Sequence, residues 1–180
     1  VFRPALFLDR DGVINHDHDY IYRREDIEFI DGIFDLVRQA CLINYRVVIV
    51  TNQSGIGRGY YTEADFHKLM AWMMAQFVKH GGWIDRVYFC PDHPTEGIGK
   101  YRQNSSWRKP KPGMILAAAK ELSINLSQSV LVGDRLRDIA AGQAAGVGYT
   151  LLYSESVDAN DKIHPTARVL NLAGVSPYLL

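Results

Sequence analysis

Short apolar runs, each ended by a polar residue and followed by a helix-like stretch, restrict the possible folds of this chain more than any other feature. The most explicit is RVVIVTN, Arg46 to Asn52. It is β-branched and unbroken, the pattern of a strand buried on both faces. ALFLD (Ala5 to Asp9), DRVYFC (Asp85 to Cys90) and SVLVGD (Ser129 to Asp134) repeat the pattern, and YTLLY (Tyr149 to Tyr153) adds another run. Between them, helices are expected over Gly32 to Asn44, Glu63 to His80 with Thr62 as N-cap, Gly113 to Leu122, and Leu136 to Ala145 ending at Gly146. Trp72, Met73, Met74 and Phe77 mark the inner face of the second of these. The alternation implies an α/β chain with an open, mostly parallel sheet and helices on both faces, in one domain over residues 1–180. After Ser154 the chain is polar as far as His164, and ARVLNLAGV is then expected to dock as an edge strand and terminal helix.

In such sheets ligands lie beyond the carboxyl ends of the strands. The residues there are Asp9 and Asp11 after the first run, Thr51 and Asn52 after the second, and Asp134 after SVLV. A lone DxD can equally end a strand as a turn or cap. Here RKPKPG adds positive charge ahead of a helix, and GDRLRD adds Asp134 with Asp138 one turn on. The set suits phosphate and a hard divalent cation. A carboxylate approaching a phosphate dianion at about 4 Å meets roughly 4 kcal/mol of repulsion per unit-charge pair at an effective dielectric of 20. Mg²⁺ on oxygen ligands would cancel it, with Lys109 as a further point charge and Thr51 and Asn52 as neutral donors. Asp9 can then attack phosphorus while Asp11 exchanges the proton with the leaving alcohol and the incoming water.

Charge is balanced, 20 Lys and Arg against 20 Asp and Glu, so nothing overall favours nucleic acid or an anionic membrane. Lys100, Arg102 and Lys111 read as solvated surface, and Arg108 with Lys109 as the exception. Two cysteines, Cys41 and Cys90, are too few for a disulfide scaffold. With no leader pattern and no apolar stretch long enough to span a bilayer, a cytoplasmic protein is expected.

Asp9 with Asp11, Thr51, Lys109, and Asp134 with Asp138, in this order, resemble the motifs of the haloacid dehalogenase (HAD) superfamily phosphatases. FLDRDGVIN, DHDY, FIDG, VTNQSGIGRG, CPDHP and RKPKPGM resemble more narrowly the D-glycero-D-manno-heptose 1,7-bisphosphate phosphatases and the neighbouring histidinol phosphatases. The resemblance covers nearly the whole chain. It implies a Rossmann-like core and Mg²⁺-dependent removal of phosphate from a small sugar bisphosphate, on the route to nucleotide-activated heptose, by a monomer. It makes Asp9 the nucleophile and a metal ligand, Asp11 the acid/base with its carbonyl on the metal, and Asp134 the third ligand, with Asp138 supporting the metal through water. Thr51, Asn52 and Lys109 would hold the transferring phosphate. Asp17, His18, Asp19, Tyr20, Gln53, Ser54, Arg108 and Arg135 would contact substrate. Relatives commonly have Lys in place of Arg135. The gaps between motifs leave room for a flap (about 13–31) and a specificity loop (about 90–108) but for no cap domain. A histidinol phosphatase, or a binding protein on an inactive phosphatase scaffold, remains open, whereas a dehalogenase would not need the acid Asp11.

One departure concerns metal. Zinc-bearing relatives place Cys, His, Cys and Cys in the specificity loop. This chain keeps Cys90 but has Asp92, Ser105 and Trp107 at the other three positions. Even with His93 as substitute, that set does not close a tetrahedral site, so no zinc is expected, Cys90 reads as a small buried hydrophobe, and packing around Trp107 with local hydrogen bonds should hold the loop. GIGRG (Gly55 to Gly59) reads as a flexible turn, and His16 and His18 as flap or substrate-contacting residues.

Overall fold

The computed structural model describes residues 1–156 and 162–180, so part of the polar stretch between Ser154 and His164 lies outside the described residues. Among the described residues six strands form one sheet: β1 (Ala5–Leu8), β2 (Arg46–Asn52), β3 (Arg86–Cys90), β4 (Val130–Gly133), β5 (Tyr149–Tyr153) and β6 (Ala167–Val169). Their order is β3-β2-β1-β4-β5-β6, and every neighbouring pair is parallel. The sheet is thus wholly parallel where a mostly parallel one was expected. The short β6 takes the edge, as read from ARVLNLAGV, and a 3₁₀ helix over Leu172–Tyr178 follows it in place of an α-helix.

The described residues form five α-helices: α1 (Ile33–Leu42), α2 (Ser54–Gly57), α3 (Glu63–Lys79), α4 (Gly113–Leu122) and α5 (Leu136–Ala145). The expected helix ends hold to within two residues. GIGRG differs from expectation: Ser54–Gly57 forms one helical turn, with Gly55, Ile56 and Gly57 buried, where a flexible turn was read. Gly57 donates to Pro91 O at 3.1 Å and accepts from Ile98 N at 2.8 Å, which ties this turn to the specificity loop.

Alternate residues of each central strand serve opposite cores. Leu6, Leu8, Val47, Ile49, Val130 and Val132 pack with α1, α3 and the C-terminal segment, where Met73 and Phe77 are fully buried. Ala5, Phe7, Val48, Val50 and Leu131 face the other way, onto α4 and α5. Two dry faces explain why these runs lack polar alternation. Burial of each large side chain contributes roughly 1.5–3 kcal/mol against the entropy of ordering the chain.

Between β1 and β2 lie the flap and α1. The flap base is pinned where Ile30 N donates to Ile14 O (2.9 Å) and His16 N to Glu28 O (2.8 Å). Between β3 and α4 the only regular element is a 3₁₀ turn, Gly99–Tyr101. Among the described residues no helix is long and apolar enough to cross a membrane. Both cysteines are free and buried.

Thr62 caps α3 as expected. Its hydroxyl accepts from Asp65 N at 3.0 Å, and Asp65 Oδ2 accepts from Thr62 N at 2.9 Å. Replacement of such a cap by Ala costs about 1 kcal/mol. Thr62→Ala should therefore lower urea unfolding stability by about that much with the m-value unchanged, and an unchanged midpoint would show that the cap is not used.

Candidate active site

The chain leaves β1 toward β2 on one side of the sheet and returns through β4 on the other, so the strand order reverses between β1 and β4. Loops part at such a point and open a crevice. Asp9 follows β1 and Asp134 follows β4. Asp9, Asp134 and Asp138 bring one ligand oxygen each to within 4.8 Å of one another.

Lys109 enters this cluster from the far end of the specificity loop. Its Nζ lies 2.9 Å from Asp9 Oδ1, 2.7 Å from Asp138 Oδ1 and 2.8 Å from Val50 O, with its side chain 2 % exposed. Burial works against the ammonium, but the charges and hydrogen bonds of Asp138 and Asp9 outweigh it and hold its pKa above the ordinary lysine value. Asn52 fixes the lysine backbone: its Oδ1 accepts from Lys109 N at 3.0 Å and its Nδ2 donates to Lys109 O at 3.1 Å. The amide expected to face phosphate is therefore engaged in placing the lysine. Thr51 is buried beneath the cavity and accepts from Gln53 Nε2 at 2.8 Å.

Three carboxylates against one ammonium leave two formal negative charges in the cluster. Burial, followed by the charge of Asp138, raises Asp9 well above the usual carboxylate range against the opposing pull of Lys109. Burial and Asp138 push Asp134 up to about 6. Asp134 Oδ1 is buried with no hydrogen-bond partner among the described residues. Gly12, at φ +92°, lets the backbone pass so close that a Cβ would collide with Asp134 Oδ2. All-oxygen donors, one of them unpartnered, fit a hard divalent cation. Asp138 Oδ2 also accepts from the backbone N–H groups of Asp134 (3.2 Å) and Arg135 (3.1 Å), and its Oδ1 meets Lys109 Nζ, so this carboxylate joins the lysine to the start of α5.

The Asp11 carboxylate is not in this cluster. Its Oδ1 accepts from Arg10 Nη2 (2.9 Å), Arg10 Nε (3.2 Å) and Asn15 Nδ2 (3.0 Å), and its Oδ2 from Gln53 Nε2 (3.1 Å). Arg10, whose side chain is fully buried, also donates to Ile21 O at 2.8 Å and so couples Asp11 to the flap.

Above these groups lies a cavity of about 230 Å³. Asp9, Asp11, Asp17, Asp19, Tyr20, Asn52, Gln53, Ser54, Arg108, Asp134 and Arg135 line it among the expected residues, and Gly55, Arg58, Tyr61 and Arg137 among the unexpected ones. His18 is not in the lining: it is exposed and faces Glu28, with Nε2 3.4 Å from Oε2. Arg135 reaches Asp17 at 3.9 Å, whereas Arg58, Arg108 and Arg137 have no carboxylate at ion-pair distance among the described residues. Burial, then Arg137 and Arg58, depress the Arg108 pKa, so the three guanidiniums lie within one another's fields. Arg137 could have been found from its place in the first turn of α5, beside Asp134. Arg58 was hidden by reading GIGRG as a free turn.

The specificity loop is held chiefly by polar contacts. Asp92 accepts from Gln103 Nε2 at Oδ1 (3.2 Å) and from Arg108 Nη1 at its carbonyl (3.3 Å), and Cys90 Sγ lies 3.9 Å from Asp92 Oδ2. His93 Nδ1 accepts from the backbone of Thr95 (3.2 Å) and Glu96 (3.0 Å). Trp107 stands against Tyr88 with ring centroids 5.8 Å apart but is 36 % exposed, so it contributes less packing than expected.

Comparison with known proteins places this geometry in context. The HAD-hydrolase-like family profile matches residues 106–173. The chain is 50 % identical to a D-glycero-α-D-manno-heptose-1,7-bisphosphate 7-phosphatase of Burkholderia mallei, over 97 % of this chain and 93 % of that one. It is 42 % identical to a D-glycero-β-D-manno-heptose-1,7-bisphosphate 7-phosphatase of Vibrio cholerae, over 99 % and 97 % of the respective chains. Among solved structures it is similar to D,D-heptose 1,7-bisphosphate phosphatase from B. bronchiseptica, crystallised with magnesium and phosphate. The TM-score is 0.84 at 28 % identity, covering 98 % of this chain and 97 % of that one.

A raised Asp134 pKa means that the folded state holds its proton more tightly than the unfolded chain does. Stability from this group is full at low pH and is lost as pH rises toward about 6. A bound cation should restore it where Asp134 is ionised. Saturating Mg²⁺ is therefore expected to raise Tm more at pH 7.5 than at pH 5.0, and the difference should shrink in Asp134→Ala, where Asp9 alone of the raised pair remains. Equal increments at both pH values would remove Asp134 from the cation site.

Proposed function

The chain belongs to the D-glycero-D-manno-heptose 1,7-bisphosphate 7-phosphatase family of HAD-like hydrolases, and we propose that it removes the 7-phosphate of that bisphosphate by a covalent route through Asp9. The observation that carries this reading is the layout of the cavity. Asp9 in the lining is paired with the buried Lys109, and the same lining presents Arg58, Arg108 and Arg137, which have no carboxylate at ion-pair distance among the described residues. A substrate with phosphate at both ends finds positive charge for both. A histidinol-type substrate would bring an ammonium toward three guanidiniums, which disfavours it at this site.

In the first step an Asp9 oxygen bonds to phosphorus while the bond from phosphorus to the C7 oxygen breaks. Asp11, in its acid form, gives its proton to that leaving oxygen. In the second, water attacks the phosphorus, Asp11 takes the water's proton, the Asp9–phosphorus bond breaks and orthophosphate leaves. Lys109 offsets charge on the transferring oxygens, and Ser54 lies in the lining for a further contact. Mg²⁺ held by Asp9, Asp134 and the Asp11 carbonyl would neutralise the repulsion between carboxylate and phosphate. Asp17, Asp19 and Tyr20 at the flap tip face the sugar, and Arg108 with Arg135, joined by Arg58 and Arg137, face the second phosphate. The product would enter the synthesis of nucleotide-activated heptose for surface polysaccharide, in the cytoplasm, from a monomeric enzyme whose specificity loop needs no zinc. Elemental analysis of the purified protein tests the last point, and stoichiometric zinc would overturn it.

Phosphate release with Mg²⁺ should show higher kcat/KM for at least one anomer of heptose 1,7-bisphosphate than for histidinol phosphate; the reverse order would end this substrate assignment. Asp9→Asn should abolish turnover with the fold intact by circular dichroism, and retained turnover would refute the covalent route. Arg137→Ala should raise KM for the bisphosphate about tenfold, the loss expected for one charge-assisted contact, and raise it less for a simple monophosphate. Equal effects on both would place Arg137 outside the subsite.

A further inference from the structure

Gln53 donates to Asp11 Oδ2 at 3.1 Å and to Thr51 Oγ1 at 2.8 Å, and its Oε1 accepts from the Tyr61 hydroxyl at 2.5 Å. The side chain is buried, so these bonds are not exchanged with bulk water. A primary amide keeps nearly the same shape when turned over, but its chemistry inverts: the carbonyl oxygen would then face the Asp11 carboxylate. Tyr61 has one hydroxyl hydrogen, and donating it to Oε1 selects the orientation in which Nε2 faces Asp11. Asn15 holds Oδ1, and Arg10 Nη2 spans both oxygens, at 2.9 Å from Oδ1 and 3.1 Å from Oδ2. Gln53 is thus the contact to Asp11 that the cavity lining itself supplies.

The tyrosine is well fixed for this task. Its ring stacks on Tyr22 with centroids 5.3 Å apart and planes 11° from parallel. On its other side Gly55 approaches so closely that a Cβ there would collide with the Tyr61 ring. Burial, opposed by the Arg10 charge, raises the phenol pKa above its ordinary value, so the hydroxyl keeps its proton across the working pH range.

We propose that Tyr61 is a positioning residue for proton transfer: through Gln53 it sets where the Asp11 carboxyl stands relative to the leaving oxygen. The stacked Tyr22 extends the device into the flap, so the acid/base group is registered against the segment that also carries Asp17, Asp19 and Tyr20. The proposal rests on the phosphatase reading above, with Asp11 as acid.

The test exploits leaving groups. An alkoxide needs a proton to depart, whereas 4-nitrophenolate needs almost none, so misplacement of the acid should act on the first far more than the second. Tyr61→Phe in the full chain, assayed with Mg²⁺, should lose at least about fivefold more kcat/KM, which reports the first step alone, on glycerol 1-phosphate than on 4-nitrophenyl phosphate. Gln53→Glu, which puts an oxygen toward Asp11, should show the same selective loss. Equal losses on both esters, or none on either, would overturn the proposal. A crystal structure of Tyr61→Phe gives an answer that does not depend on turnover: Gln53 turned from Asp11 supports the proposal, and an undisturbed contact refutes it. Neither ester is the heptose substrate, so a wrong substrate assignment would show in the bisphosphate assay and leave this comparison readable.

Discussion

The Lys109 ammonium, buried between Asp9 and Asp138, is the interaction on which the rest of the site depends. It joins three elements distant in sequence: the end of β1, the first turn of α5 and the end of the specificity loop. Removing one partner from a buried ion pair costs about 3–5 kcal/mol, because an uncompensated charge is left behind. The fold therefore surrounds this lysine with fixed partners, including the two-way bond between the Asn52 amide and the Lys109 backbone. A lysine so placed can offset charge on a transferring phosphate without spending energy to reorganise.

From that anchor the loop before it acquires its purpose. Residues 91–108 run from the end of β3 to the lysine with little regular structure, held by contacts converging on Asp92 and His93 and by the backbone ties of Gly57 to Pro91 and Ile98. Arg108 is delivered to the cavity as a half-buried guanidinium whose field overlaps those of Arg58 and Arg137. The two sets of charges consequently differ in kind. The carboxylates gathered around the lysine leave negative charge for a cation to balance, whereas Arg58, Arg108 and Arg137 have no carboxylate at ion-pair distance among the described residues.

The acid/base carboxylate is organised separately from the cation cluster even though Asp9 and Asp11 are two residues apart. In an extended chain residues two apart would share a face, but the chain turns at Arg10, whose carbonyl accepts from the backbone N–H groups of Val13, Ile14 and Asn15, and the fully buried Arg10 side chain takes Asp11 toward Asn15, Gln53 and the flap. This separation lets one carboxylate act as nucleophile beside a cation while the other exchanges protons.

The parallel α/β fold, the strand ends that carry Asp9, Thr51 and Asp134, and the helices at Gly113–Leu122 and Leu136–Ala145 were legible in the sequence, because burial on both faces enforces unbroken apolar runs and caps mark helix ends. RKPKPG already marked Lys109 as a point charge for phosphate, and resemblance to family motifs added the substrate contacts of the flap. The use of Asn52 as a bracket for the lysine, the placement of His18 outside the cavity, the helical turn within GIGRG and the arrival of Arg58, Arg137 and Tyr61 in the lining were not legible. Local pattern determines which residues are strand, helix or strand end. Which donor meets which acceptor across up to a hundred residues of chain is decided only when the sheet order, the loop path and the packing of Gly55 against Tyr61 bring them together, since hydrogen bonds of about 3 Å depend on positions no spacing encodes.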